Sequence, residues 1–457
     1  MDMMHWEKLL SPARLGKRDA EALQAQRSPF QRDYDRIVFS SAFRRLQDKT
    51  QVFPLASSDY VRTRLTHSLE AACVGRSLGT AIGAHIVKRH GPAHVHPSDI
   101  GAVVAAACLA HDIGNPPFGH SGEDAIQHWF ASSPQARKLH PELKKTPGQF
   151  EDFARFEGNA QGFRILTRLQ MPDNPGGLQL TCATLGAFAK YPVPSHPVRD
   201  PKDRRASTKK FSFFTSESEF FAEAAERTGM LPRDNGWCRH PLAFVVEAAD
   251  DICYRLVDFE DGVRLHLINY EEAAEAFAAV IGERKYLDAA SRMRGTEERV
   301  EFLRAVAVGK ALEQVTAVFI AHEDAILAGE FDQPLIACAP VAEPLEAIVR
   351  RSRKTLYANP RGLEIEAAGF EVIGGLLDLF VEAVEELATR EGEGTKIAPR
   401  WRTLLQLVPE PFIGPGNTPA PDAYTRLLRM TDYVSGMTDS FAVGLYKKLR
   451  GISLPGR

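Results

Sequence analysis

Apolar residues recur at three- and four-residue spacing through most of this chain, the period of helices that bury one face. The run from Ile100 to Ala110 is almost entirely apolar and predicts a buried helix. Ser98 is placed to cap it, and Gly114 and Asn115 to stop it just beyond His111 and Asp112. Ser121, with Asp124 three residues on, predicts the start of the next helix. From about Asp59 to Arg89 the same period puts Arg64 and His67 one turn apart on one face. A further helix is predicted from about Pro241 to Asp261. Its first turns, Leu242 to Val246, are strongly apolar, so its carboxylates enter a buried environment and need partners. Stretches rich in Pro, Gly and charge near 131–149, 192–210 and 391–422 read as loops. No β-rich region or internal repeat interrupts the pattern. The expectation is an all-α chain forming one mostly helical domain over residues 1–457, with loop insertions.

Chemistry enters where the buried helices end. His111-Asp112 offers an imidazole and a carboxylate already held side by side by the backbone. With His67 upstream and Asp250 downstream they make a two-His, two-carboxylate set. Mixed N/O ligation of this kind suits Mg, Mn, Fe, Co, Ni or Zn, with waters in the open positions. On the predicted helix from Pro241, Asp250, Tyr254 and Asp258 stand at i, i+4 and i+8 and share a face, with Glu247 one turn earlier. His120 and Glu123 form a second pair one turn apart, a carboxylate placed to orient an imidazole for proton transfer.

Composition narrows the setting. The 457 residues are 44% hydrophobic and 25% charged, ordinary for a globular protein. No run of about 18 apolar residues predicts a membrane span, and Met1 to Leu10 lacks an apolar signal core. Six scattered cysteines without a CxxC read as reduced core thiols, so a cytoplasmic protein is expected. The formal net charge of −3 gives no general drive toward nucleic acid, so a polyanionic ligand must meet local positive charge instead. The basic loop with Arg199, Lys202, Arg204, Arg205, Lys209 and Lys210 is diluted by Asp200 and Asp203 and reads as solvated. Arg426 and Arg429 likewise read as solvated helix arginines.

Six local sequences carry a family resemblance: Arg44 to Pro54, Arg62 to His67, His111 to Glu123, Phe156 to Gln161, Glu247 to Asp261 and Tyr433 to Asp439. In this order they resemble the bacterial deoxyguanosinetriphosphate triphosphohydrolase family and its dNTPase-like members, within the HD superfamily of metal-dependent phosphohydrolases. The resemblance implies an HD-domain helical fold with additional C-terminal helices. The metal-site core would span about 60–265, and a region of about 266–457 would serve assembly and regulation. It implies hydrolysis of a dNTP, dGTP or others, to deoxynucleoside and inorganic triphosphate. His67, His111, Asp112 and Asp250 would hold a divalent ion, Mg or Mn foremost. His120 and Glu123 would be catalytic. Arg64, Lys190 and Tyr191 would meet phosphates, and Tyr254, Gln51 and Asp258 the deoxyribose, with Asn159 nearby. The same resemblance implies a homo-oligomer, a hexamer, and in some members a second, regulatory nucleotide. Two other readings stay open: another HD phosphohydrolase, such as a nucleotidase or phosphodiesterase, or a non-catalytic nucleotide sensor.

Overall fold

The computed structural model describes residues 3–17, 27–51, 62–356 and 360–453. Val52, Phe53 and Pro54 of the first resembling segment, and Asp59, lie outside these residues. Among the described residues the chain is helical almost throughout, as the periodicity predicts. Its strands are a two-residue antiparallel pair, Pro232–Arg233 with Gly236–Trp237. No described helix is long and apolar enough to cross a membrane.

The helices Arg64–His90 and Pro97–Ala110 form an antiparallel pair whose closeness is written in small residues. Gly75, Gly79 and Gly83 recur every four positions and so share one face. A Cβ added at Gly79 would lie 3.0 Å from the Gly101 Cα and the Ile100 carbonyl, and one at Gly75 would meet the Cys108 sulfur at 2.6 Å. Backbone packs on backbone, and the start of one helix arrives beside the end of the other. That brings His67 to His111. The helices Pro241–Arg264 and Thr296–Leu327 complete this first core.

A second core is built from His120–Ser132, Pro134–Leu143, Pro360–Gly392 and Ala423–Ser435. The chain crosses between the two within a few residues: Ile113 belongs to the first core and Phe118 to the second. The segment carrying the His-Asp doublet therefore lies on the seam.

Several boundaries differ from the sequence expectation. His96, not Ser98, caps the helix from Pro97. Its amide donates to Asp99, which sits three residues on, and Ser98 falls inside the first turn. The next helix starts at His120 rather than Ser121, because Gly119 at φ 60°, ψ −128° is the hinge that precedes it. The expected loop at 131–149 contains the helix Pro134–Leu143. Ser133 caps it, Pro134 occupies the first position, and Ala136, Leu139 and Leu143 bury one face beneath a charged outer one. The stretch 391–422 likewise holds the short helices Pro399–Leu405 and Glu410–Ile413. Arg426 is buried rather than solvated. It forks onto Glu385 and also donates to the carbonyls of Ala420 and Pro421. Arg429 donates to the Ile413 carbonyl.

Candidate metal centre and active site

Where the two close-packed helices meet the Pro241–Arg264 helix, three candidate ligands converge. Nitrogen and oxygen atoms of His67, His111 and Asp250 all lie within 4.8 Å of one another. His67 Nε2 stands 3.2 Å from Asp250 Oδ1, and His111 Nε2 stands 3.4 Å from the same oxygen. His111 Nδ1 lies 2.6 Å from the Cys108 carbonyl. A ring nitrogen can only donate to a carbonyl, so this contact puts a proton on Nδ1 and turns Nε2 toward the cluster. Asp251 turns away to Arg255, at 3.3 Å, and it is Asp250 that faces the histidines.

Asp112 sits at the edge of this group. Its Oδ1 lies 2.9 Å from Arg64 Nη1, accepts from Asn115 Nδ2, and is 3.5 Å from His111 Nε2. Its Oδ2 is buried and finds no hydrogen-bond partner among the described residues. The same holds for His67 Nδ1, Arg64 Nε and Gln51 Oε1. An orphaned buried carboxylate oxygen beside two imidazoles is costly unless something polar completes it. Burial alone would raise the Asp112 carboxyl, but Arg64, His111 and His67 outweigh it and hold it at about 2. Burial would also raise Asp250, yet His111 and the hydrogen bonds from both histidines keep it well below the usual range. Burial disfavours the His111 cation, but Asp112 and Asp250 overcome that and lift it to about 9. Two ionised carboxylates, two imidazoles and an orphaned carboxylate oxygen fit a hard or borderline divalent cation.

The second pair forms as expected. His120 Nδ1 lies 2.9 Å from Glu123 Oε2, with the imidazole 78% exposed and the carboxylate buried. The Gly158 amide donates to the other Glu123 oxygen at 2.6 Å. The fit at Gly158 is close: an added Cβ would lie 2.8 Å from Glu123 Oε1 and 2.7 Å from Asn115 Oδ1, so it would displace the carboxylate that holds His120. Gly119 is constrained from the other side, since its Cβ would meet Arg64 Nη2 at 2.6 Å in a conformation only glycine adopts freely.

Positive charge gathers at the same cleft. Lys190 Nζ stands 3.6 Å from Glu247 and 3.8 Å from Asp250. Arg239 props it by donating to the Lys190 carbonyl and to Glu247, and lies over the buried Tyr191 ring. Lys210, assigned by sequence to a solvated loop, instead turns inward, 3.0 Å from Glu157 and 3.6 Å from Glu123. No spacing signal could have singled it out, because the contact depends on how the 192–210 segment folds back. Asn159 donates to Glu157 at 3.2 Å. Burial and the neighbouring Glu123 raise the Glu157 carboxyl to about 7. Arg199 and Arg205 are spent on Asp203.

Two of the sugar-side candidates, Tyr254 and Asp258, lie further along the Pro241–Arg264 helix. Asp258 is buried on the cluster-facing side of its helix, and burial raises its carboxyl to about 7 against the pull of the Arg62 charge. Tyr254 is half-buried beside Arg255. Arg62 ties this helix to the start of the Arg64–His90 helix through Glu70, Glu260 and Asp261.

Comparison with known proteins bears on this geometry. A family model described as "HD domain" matches residues 64–155, which contain His67, the His111-Asp112 doublet, His120 and Glu123. A deoxyguanosinetriphosphate triphosphohydrolase-like protein of Synechocystis is 45% identical, covering 99% of this chain and all of that one. One from Pseudomonas aeruginosa is 38% identical over 99% of this chain and all of its own. The chain belongs to the deoxyguanosinetriphosphate triphosphohydrolase-like family. A Yersinia enterocolitica protein named as deoxyguanosinetriphosphate triphosphohydrolase is 31% identical across 92% of this chain and 93% of its own length. Membership makes this chain an HD-domain, metal-dependent phosphohydrolase. It also extends the match well past the HD segment, to Asp250 and the C-terminal helices.

Proposed function

We propose that this protein hydrolyses deoxynucleoside triphosphates to deoxynucleoside and inorganic triphosphate. The observation that carries the reading is the meeting of two sites on the seam: the orphan-rich cluster of His67, His111, Asp112 and Asp250, and the His120–Glu123 pair, with Arg64, Lys190 and Lys210 around them. A divalent ion, Mg or Mn, held by the first set would supply a bound water of lowered pKa and neutralise phosphate charge.

The remaining chemistry belongs to side chains. The reaction joins a water oxygen to the α-phosphorus and breaks the bond to the 5′-oxygen, which leaves with a proton. His120, steered through Nδ1 by Glu123, presents Nε2 for that proton transfer. Arg64, Lys190 and Lys210 meet the phosphate oxygens, the arginine with a planar fork. Tyr191 packs beside Lys190. Tyr254 lies against the sugar where a 2′-hydroxyl would have to fit, and Asp258 and Gln51 hold the 3′ edge. Asn159 orients Glu157 beside Lys210. The protein acts as a homo-oligomer in the cytoplasm, and a second nucleotide at a separate site regulates it.

The test is a product assay. Purified protein with Mg or Mn receives each of the four dNTPs and GTP, singly and in mixtures, and products are separated by ion exchange. Deoxynucleoside with intact triphosphate supports the reading. Phosphate or diphosphate instead would identify another HD phosphohydrolase, and no turnover with metal bound would point to a nucleotide sensor.

A further inference from the structure

We propose that Asp439, far along the chain from every residue placed in the active site above, is a positioning residue for this reaction. One carboxylate would fix both the sugar-side segment ending in Gln51 and the loop that presents His120. The inference rests on the reading under "Proposed function".

The local sequence sets up the contact. Thr438 caps the helix Asp439–Leu449 by accepting from the Phe441 amide, so Asp439 occupies its first turn and its side chain is free to turn back. It is 1% exposed. Oδ2 accepts from the Thr50 amide at 3.0 Å and the Thr50 hydroxyl at 2.5 Å. Oδ1 accepts from the Phe118 amide at 3.0 Å. These bonds join positions more than 300 residues apart in the chain.

Each partner adjoins a residue with work in the site. Thr50 precedes Gln51, whose Oε1 is one of the orphaned atoms. Phe118 precedes Gly119 and His120, and stands at φ 64°, a conformation that costs a non-glycine residue free energy and persists only when its surroundings enforce it. The carboxylate on its amide is such an enforcement. A second strut runs parallel: buried Lys49 donates from Nζ to the carbonyls of Asn115 and Ser435. The two struts close a ring from residues 49–50, through 115–118, to 435–439. The same short segment is tied to the metal side, because the Lys49 carbonyl accepts from the Arg64 amide. Movement of the C-terminal helices would therefore reach the sugar edge and the catalytic imidazole together.

The experiment compares Asp439→Asn, Thr50→Val and Thr50→Ser with the wild type, reading steady-state kinetics on a dNTP and amide hydrogen exchange in the metal-loaded protein. Asp439→Asn replaces one acceptor and weakens both arms. Its kcat should fall on the order of 10²-fold, the scale of a misplaced catalytic group. Exchange should quicken in peptides covering 45–51 and 114–120 while metal content holds. Thr50→Val loses only the sugar-side hydroxyl: KM should rise several-fold with kcat within about twofold, and Thr50→Ser should restore it. Loss of turnover in Asp439→Asn without faster exchange in those two segments would overturn the proposal. So would faster exchange there with unchanged kcat and KM. If Asp439→Asn does not fold, the opposed Thr50→Val and Thr50→Ser results decide, and equal KM in both would overturn it. A wild type that releases no triphosphate from any dNTP refutes the function instead, and the exchange comparison still reads the clamp.

Discussion

Two buried polar clusters in this molecule look alike in composition and differ in how they are satisfied. Around Arg164, every carboxylate oxygen has a donor. Asp432 takes Gln161 and a bidentate fork from Arg164, and Glu217 takes Arg164, Arg168 and the Ser216 hydroxyl. Beside His111, Asp112 Oδ2 remains without one among the described residues. In the first cluster the acids and the Arg164 guanidinium satisfy one another and link helices, with Gln161 Oε1 left without a partner among the described residues. The second is complete only with a ligand. The difference separates a structural network from a reactive site more sharply than residue type does, since both are built from acids and cations in the interior.

Breaking the open cluster should cost activity rather than stability. Asp250→Ala is expected to lower turnover by at least about 10³-fold, the equivalent of several kcal/mol of transition-state stabilisation. Its melting temperature without metal should stay near the wild type's. Steady-state product release and thermal melts check both. His120→Ala should lose about 10²- to 10⁴-fold in kcat, the usual worth of one general acid or base, with metal content unchanged by elemental analysis. Breaking the closed cluster should do the reverse. Asp432→Ala removes one of the two carboxylates paired with a buried guanidinium and should cost on the order of 3 kcal/mol in denaturant unfolding, while turnover per folded molecule persists.

The smallest effect sharpens the same contrast at another closed node. Asp152 accepts from Ser195, Tyr424 and the Thr215 amide, and burial pushes its carboxyl up to about 6. A carboxyl raised on folding contributes stability that is fully present below its unfolded value and lost as pH rises through about 6. Between pH 4 and pH 7 the wild type should therefore lose on the order of 1–2 kcal/mol relative to Asp152→Asn. Parallel melts across that range measure it.

Much of this was legible in the sequence, for identifiable reasons. The Pro241–Arg264 helix follows its apolar pattern, while the choice of Asp250 over Asp251 rests on the family resemblance and not on periodicity. His120 and Glu123 pair because one helical turn separates them. Such local periodicity survives folding. What the sequence hid depends on long-range closure. Lys210 reads as one lysine in a charged loop until that loop folds onto Glu157. Asp439 stands in the sequence only as the end of a family-resembling segment, and its contacts with Thr50 and Phe118 come from the docking of its helix. The helix Pro134–Leu143 was masked by the charges on its outer face. Asp112, expected as an equal member of the ligand set, lies at the cluster's edge because Arg64 and Asn115 draw one of its oxygens away.

The central claim is that the open cluster is completed by a divalent ion. Metal content of purified protein, dialysed against Mn and measured by elemental analysis for wild type and Asp250→Ala side by side, tests it most directly. The account predicts about one ion per chain in the wild type, removed by chelator along with turnover, and little or none in the variant. Equal metal in both proteins, or a wild type that turns over substrate with no metal bound, would contradict it.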